Sequence, residues 1–367
     1  MKKKVVIVVV VCMLLSWAAY GCGGNDSDNG VAPESPDIGD GGRTSGGVVN
    51  VYNWGEYIET DIFQVFERET GIRVNYSVFQ SNEEMYSILR GGGANFDVII
   101  PSDYMISRLI EEDMLQELDF SNIPNYALID DAYKNLEYDP DGKFSVAYMT
   151  GTVGLIYNSA MISDEITSWG TLFDENYAGQ MLMFDNPRDA FGIALKYLGY
   201  YQNTTNEAEI MEAFDLLVQQ KPLLQAYVMD QIFDKLESGE AAIGPYYAGD
   251  FLIMRESNPD LVFVRPAEGS NSFVDAMVIP ADARNKENAE IFINFMSSAD
   301  IALMNMEFIW YASANSEANE IFRDQLYPED YEIMFASSET LANCDVFTNL
   351  PPHILDLYNN LWVELKR

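Results

Sequence analysis

The chain carries little of what an enzyme usually works with. Among its 367 residues there is one histidine, His353, and only three cysteines: Cys12, Cys22 and Cys344. A Ser-His-Asp or Cys-His relay would have to be built on His353, which follows Pro351-Pro352 with no nucleophile elbow or cysteine motif beside it. It is therefore expected to be a surface or packing residue. No Walker A, GxGxxG or HExxH pattern occurs, so nothing points to a phosphate cradle, a dinucleotide fold or a zinc hydrolase, and no cofactor is expected. Basic residues are also scarce: 21 Lys and Arg stand against 58 Asp and Glu, for a net charge of −37. Such a field repels nucleic acid and anionic membranes and concentrates small cations. Carboxylates are plentiful enough that an acid/base pair for glycoside hydrolysis stays open on counting alone.

Long apolar runs are absent except at the start. Lys2-Lys3-Lys4 precede an apolar stretch over residues 5–15, too short to span a bilayer comfortably, which ends in Ala18-Ala19-Tyr20-Gly21-Cys22. This resembles a bacterial lipoprotein signal over residues 1–21, with Cys22 as the lipidated N-terminus; an uncleaved anchor or a plain secretory signal are the alternatives. Removing the three lysines takes the net charge from −37 to −40. Cys344 would then be the one cysteine of the folded part, so no intramolecular disulfide is expected. Residues 22–46, rich in Gly, Asp, Ser and Asn, read as a flexible tether holding a periplasmic body to a bacterial membrane.

What is present is an α/β rhythm in a chain long enough for two domains. Val48-Val49-Asn50-Val51-Tyr52-Asn53 predicts a strand; residues 61–71 have helical spacing with Gly71 as the stop, and residues 72–79 alternate as a strand. Ser81 and Glu84 form a capping-box pattern, and residues 96–101 predict a short buried strand closed by Ser102-Asp103-Tyr104. Asp103 reads as the helix N-cap, leaving Ser102 and Tyr104 nearer any ligand. Residues 143–149 and 152–158 form one long strand-like run, a candidate crossover between domains, after which the rhythm resumes at Met181-Leu182-Met183-Phe184.

The recurring feature is a carboxylate beside an aromatic at a strand end, where α/β proteins collect ligands. It occurs at Trp54/Glu56/Tyr57, Tyr104, Asp189, Tyr247/Asp250, Phe273/Asp275 and Tyr311. Any one pair is ordinary, since a strand end with a core Trp and a solvated Glu is common. Their repetition in both halves predicts one aromatic-walled, acid-ended slot for an organic cation. Tyr246-Tyr247 leaves ferric iron as an alternative occupant.

At these residues the chain resembles the polyamine-binding proteins of bacterial ABC transporters, the spermidine/putrescine-binding family, over nearly all of residues 47–367. Tyr52-Asn53-Trp54-Gly55-Glu56-Tyr57 matches the motif in which the Trp covers the alkyl chain and the acid and Tyr meet an amine. Pro101-Ser102-Asp103-Tyr104 matches a second ligand loop, while Ser81-Asn82-Glu83 matches a structural landmark. Asn186 and Asp189 fall where the family places amine-binding acids, with Asn186 replacing the Asp of spermidine-type members. Tyr247 stands where Trp is usual, and Asp250 matches an acid of putrescine-type members. Phe273 and Asp275 match the pair that grips an amine, Tyr311 a pocket tyrosine, and Asp345 the place of a Gln.

The resemblance implies an α/β, two-lobed periplasmic binding protein fold of type II, with the ligand in the cleft between lobes. One lobe comprises residues 47–151 and 274–319, the other residues 152–273 and 320–367. It also implies a non-enzymatic monomer that hands putrescine, or secondarily spermidine, to a membrane permease; a polyamine sensor would use the same pocket. On charge pairing, Asp275 with Asp250 is expected to hold one ammonium and Glu56 with Asp189 the other.

Overall fold

The computed structural model describes residues 46–92 and 95–367. The signal, Cys22 and the proposed tether lie outside the described residues.

Val48, Val49 and Val51 give the first strand its β preference. This strand, β1 (Gly47–Trp54), pairs in parallel with β2 (Ile72–Phe79), in a register running from Gly47 opposite Ile72 to Trp54 opposite Phe79. The helix between them, α1 (Ile62–Thr70), is amphipathic, burying Ile62 and Phe66 and stopping at Gly71 with φ 71°, a left-handed cap that glycine adopts without strain. In α2 (Asn82–Gly91), Ser81 Oγ accepts from the Glu84 N–H at 3.1 Å. The return bond of the capping box shifts by one residue, because the Glu84 carboxylate accepts from the Gln80 N–H instead (2.8 Å).

Of the apolar run at residues 96–101, only β3 (Val98–Ile99) joins the ladder. The Asp97 carboxylate accounts for the shortening: it accepts the Asn50 N–H (2.9 Å) and the Asn285 N–H (2.9 Å), standing in for a backbone partner. Next comes α3 (Asp103–Glu111). The long strand expected over residues 143–158 is β4 (Ser145–Asn158), with a register irregularity between Ala147 and Met149.

The other half continues with β5 (Met181–Phe184), α4 (Pro187–Tyr197), α5 (Glu207–Gln220), β6 (Leu224–Val228), α6 (Ile232–Glu237), β7 (Ile243–Tyr247), α7 (Ala248–Ser257), β8 (Leu261–Val264) and β9 (Ser270–Val278). Short strands β10 (Ala312–Ser313) and β11 (Cys344–Val346) pair with β4 and β9.

The strand order is β2-β1-β3-β9-β4-β7-β5-β6. The same plan is laid down twice. In each half the first strand sits centrally with parallel neighbours, and its third strand meets an antiparallel strand: β3 meets β9, and β7 meets β4. β4 pairs with β9 along residues 145–152 and with β7 and β8 along residues 153–158, so one continuous strand ties the halves together. The turns after β1, β3, β5, β6 and β7 lie at carboxyl ends of parallel strands, the usual place for a site.

Candidate binding site

These turns enclose one cavity with about 80 Å³ of free space, and β9 contributes residues to its wall. From the first half, Trp54 is fixed as a wall. Its indole N–H donates to the Ile100 carbonyl (2.9 Å), and its ring lies 4.6 Å from that of Phe79. Glu56 is exposed at the lip in the left-handed region (φ 45°), a conformation that strains a non-glycine residue by about 1 kcal/mol or more. Tyr57 is buried, and its hydroxyl donates to Asp275 Oδ2 at 2.8 Å.

Ser102 occupies the N-cap position of α3 and forms a β-bridge with Asp275. Asp103 is not the cap. Its carboxylate accepts the Tyr104 N–H (2.7 Å) and the Val274 N–H (3.2 Å), pinning the loop to β9 on the cavity wall. Tyr104 donates its hydroxyl to Glu83 (2.9 Å).

From the other half, Asn186 caps α4. Its carbonyl oxygen accepts the Asp189 N–H (2.8 Å) and its amide donates to Asp189 Oδ2 (2.6 Å). Asn186 lines the cavity, but most of its amide is spent aiming Asp189. Tyr247 reaches the same carboxylate at 3.4 Å and packs edge-on against Phe273, with centroids 5.5 Å apart. Tyr311 donates to Asp250 (2.8 Å), and its ring packs against the first turn of α7, where a Cβ on Gly249 would collide with it. Tyr57 and Tyr311 meet edge-on at 5.2 Å, joining the Asp275 and Asp250 arms into one cluster.

Burial governs the ionisation of these acids. Loss of water lifts Asp103 and Asp250 to about 8 and Asp189 and Asp275 to about 6, from an ordinary 3.8. None of the four forms an ion pair among the described residues. A cavity so built is short of positive charge.

Residues 61–335 match the family described as bacterial extracellular solute-binding protein. The chain belongs to that family. Among its relatives is the spermidine/putrescine-binding periplasmic protein of Escherichia coli, 32% identical over 80% of this chain and 84% of its own. The putrescine-binding periplasmic protein of Pseudomonas aeruginosa is 29% identical, covering 87% of this chain and 92% of its own. A solved structure from Listeria monocytogenes, assigned as a spermidine/putrescine ABC transporter, superposes with a TM-score of 0.83 at 38% identity. It covers 87% of this chain and 98% of that one. The α/β periplasmic binding fold expected from the sequence is thus the observed one.

In this solute-binding protein every expected site residue within the described part lines the cavity except Asp345. Asp345 lies on β11, where its carboxylate is held by Lys196 (2.7 Å) and the Gln202 N–H (3.4 Å), a closed pair outside the lining. Glu56 acts electrostatically on Asp250, and Glu83 on Asp189. Glu83 is thus a lining residue rather than a structural landmark alone.

Sequence reading missed Asp230, Arg188 and Asn271, which also line the cavity. Asp230 accepts from the Tyr246 hydroxyl (3.0 Å) and lies against Gly55, where any Cβ would collide with its carboxylate. Arg188 is buried, donates to Asn203 Oδ1 (2.9 Å) and the Thr348 carbonyl (3.2 Å), and stacks 4.6 Å from the Phe347 centroid.

Proposed function

We propose that this solute-binding protein takes a polyamine, putrescine ahead of spermidine, and delivers it to the permease of an ABC importer. The observation that carries the reading is the cluster of Asp275 and Asp250. Both are buried, both are raised by loss of water, each is held by a tyrosine hydroxyl, and neither has a counter-cation among the described residues. An ammonium placed there supplies the missing charge and regains the several kcal/mol that burying an uncompensated ion costs.

Asp189 with Glu83 offers a second acidic position beyond the aromatic stretch of Tyr247 and Phe273. Acid, aromatic wall, acid is the outline of a diamine. Asn186, where spermidine-type members carry Asp, and Asp250, which matches an acid of putrescine-type members, set putrescine ahead of spermidine in this reading. The names of the relatives in Escherichia coli and Pseudomonas aeruginosa agree with this ligand class.

The iron alternative lacks a cluster of ligands. Among the described residues no three or more His, Cys, Asp or Glu side chains are grouped to hold a metal ion, so the two tyrosines stand without a ligand set around them. A catalytic role has nothing in the cavity to recommend it beyond the carboxylates that the binding role already employs.

The halves act, in this reading, as two lobes divided as the resemblance implies, closing on the ligand, with β4 and β9 between them. The protein works as a monomer, non-enzymatically, in the periplasm, held by lipid on Cys22; Cys22→Ser should release it from the membrane fraction. The deciding experiment is titration calorimetry with putrescine and spermidine after unfolding and refolding to remove carried ligand. Tight one-to-one binding of putrescine over spermidine supports the proposal. The reverse order sinks the choice of ligand, and no heat with either amine leaves only the fold.

A further inference from the structure

Strand β9 sets a row of side chains along the cavity. Asn271, Phe273 and Asp275 occupy alternate positions and so share one face, and all three line the cavity. At ~3.3 Å of rise per residue, each step along the row is ~6.6 Å and Asn271 lies ~13 Å from Asp275. Asn271 is only 5% exposed, and its carbonyl oxygen has no hydrogen-bond partner. A buried amide oxygen left unpaired bears its desolvation cost with no return, so its place on a cavity wall points to a donor supplied from outside.

Distance selects the donor. A four-carbon diamine anchored at Asp275 ends about one step along the row, at the level of Phe273. There Tyr247 packs on Phe273 and reaches Asp189. Such a ligand stops short of Asn271. A triamine carries a further arm past Phe273 and brings its last amine to the amide. We infer that Asn271 Oδ1 is the acceptor for the distal amine of a triamine, and that its neutrality limits how much a triamine gains over a diamine. The register partner of Asn271 on β11 is Asp345, whose charge is already taken by Lys196. The extension therefore meets a dipole where a carboxylate would have held an ammonium.

This inference rests on the polyamine reading and is tested on the full chain, stripped of ligand, by calorimetry with putrescine and spermidine. Asn271→Leu should weaken spermidine about tenfold, the worth of one hydrogen bond to a charged donor, and leave putrescine within about twofold. Asn271→Asp should strengthen spermidine by a similar factor and putrescine by less, since the diamine's second ammonium stops ~6.6 Å short of the new carboxylate, and it keeps the test alive if the leucine variant fails to fold. A spermidine-to-putrescine affinity ratio that stays constant in the folded variants overturns the role of Asn271 alone. If the unsubstituted chain binds neither amine, the polyamine reading falls and this inference with it.

Discussion

The two ends of the cavity solve the same electrostatic problem differently. At one end Asp275 and Asp250 are buried acids held by Tyr57 and Tyr311, with Glu56 and Asp230 close enough to add negative charge. At the other, Asp189 is only partly buried, is braced by Asn186, and has the guanidinium of Arg188 lowering its pKa alongside the opposing Glu83. Among the described residues no cation pairs with the acids of the first end. The second carries one of its own. An incoming dication should therefore gain most at the Asp275 end and be positioned, rather than gripped, at the Asp189 end.

The largest effect expected from this asymmetry is at Asp275. Removing one member of a buried charge pair costs about 3–5 kcal/mol, so Asp275→Asn should raise the putrescine Kd by at least about a hundredfold. Calorimetry of that variant checks it, and a change of about threefold or less would dissolve the distinction between the ends. Asp189→Asn should cost only about tenfold, because solvent and Arg188 already share that charge. If the two variants lose equal affinity, the ends are equivalent and the comparison fails.

Protons should report the same difference. Asp103 and Asp250 near 8 and Asp189 and Asp275 near 6 hold more protons in the folded, ligand-free protein than in the unfolded chain, where 3.8 applies. A raised carboxyl favours the fold below its unfolded pKa, and that contribution is lost as pH climbs through the folded value. Thermal melts of the free protein should thus show falling stability from about pH 4 to about pH 8 from these four groups. Saturating putrescine, by favouring the carboxylates, should remove most of that slope. Binding near neutral pH should release protons, so the observed heat should vary with buffer ionisation enthalpy, and affinity should fall as pH drops below about 8 and more steeply below about 6. Asp250→Asn should reduce the proton release near pH 7 more than Asp189→Asn does.

Much of the acid-only end was legible because its residues sit in short strand-end motifs where an aromatic and an acid are neighbours in sequence. Trp54-Gly55-Glu56-Tyr57, Phe273-Val274-Asp275 and Tyr247 with Asp250 are of this kind; β2 and β5 fell at their expected bounds, and β1 runs one residue further at each end. The other end was harder because its parts come from unrelated signals. Glu83 lay inside a capping pattern that accounted for the segment without it. Arg188 looked like one more charge in a helix start, although it is buried under contacts from Asn203 and Thr348 that no local pattern announces. Asn271 did leave a trace: counting back by two from Asp275 and Phe273 along a strand puts it on the same face. Asp345 went wrong through alignment to an uncharged family position, where a carboxylate instead finds Lys196. Ser102 took the cap expected of Asp103 because the Asp103 carboxylate is drawn to the Val274 N–H across the cavity wall.

The smallest effect concerns the wall between the ends. Tyr247 touches Phe273 on one side and donates a long 3.4 Å hydrogen bond to Asp189 on the other. Tyr247→Trp offers the better cation–π face at about 0.5–1 kcal/mol, so it should tighten putrescine by about two- to fivefold if the ligand lies against this wall. Tyr247→Phe keeps the ring and gives up only the weak bond to Asp189; it should change affinity by less than about threefold. A Trp variant no tighter than the original, with Asp275→Asn still strongly impaired, would mean the alkyl chain runs along Trp54 alone. The two ends would then be linked by the first half's aromatics, and the second half would contribute charge without contact.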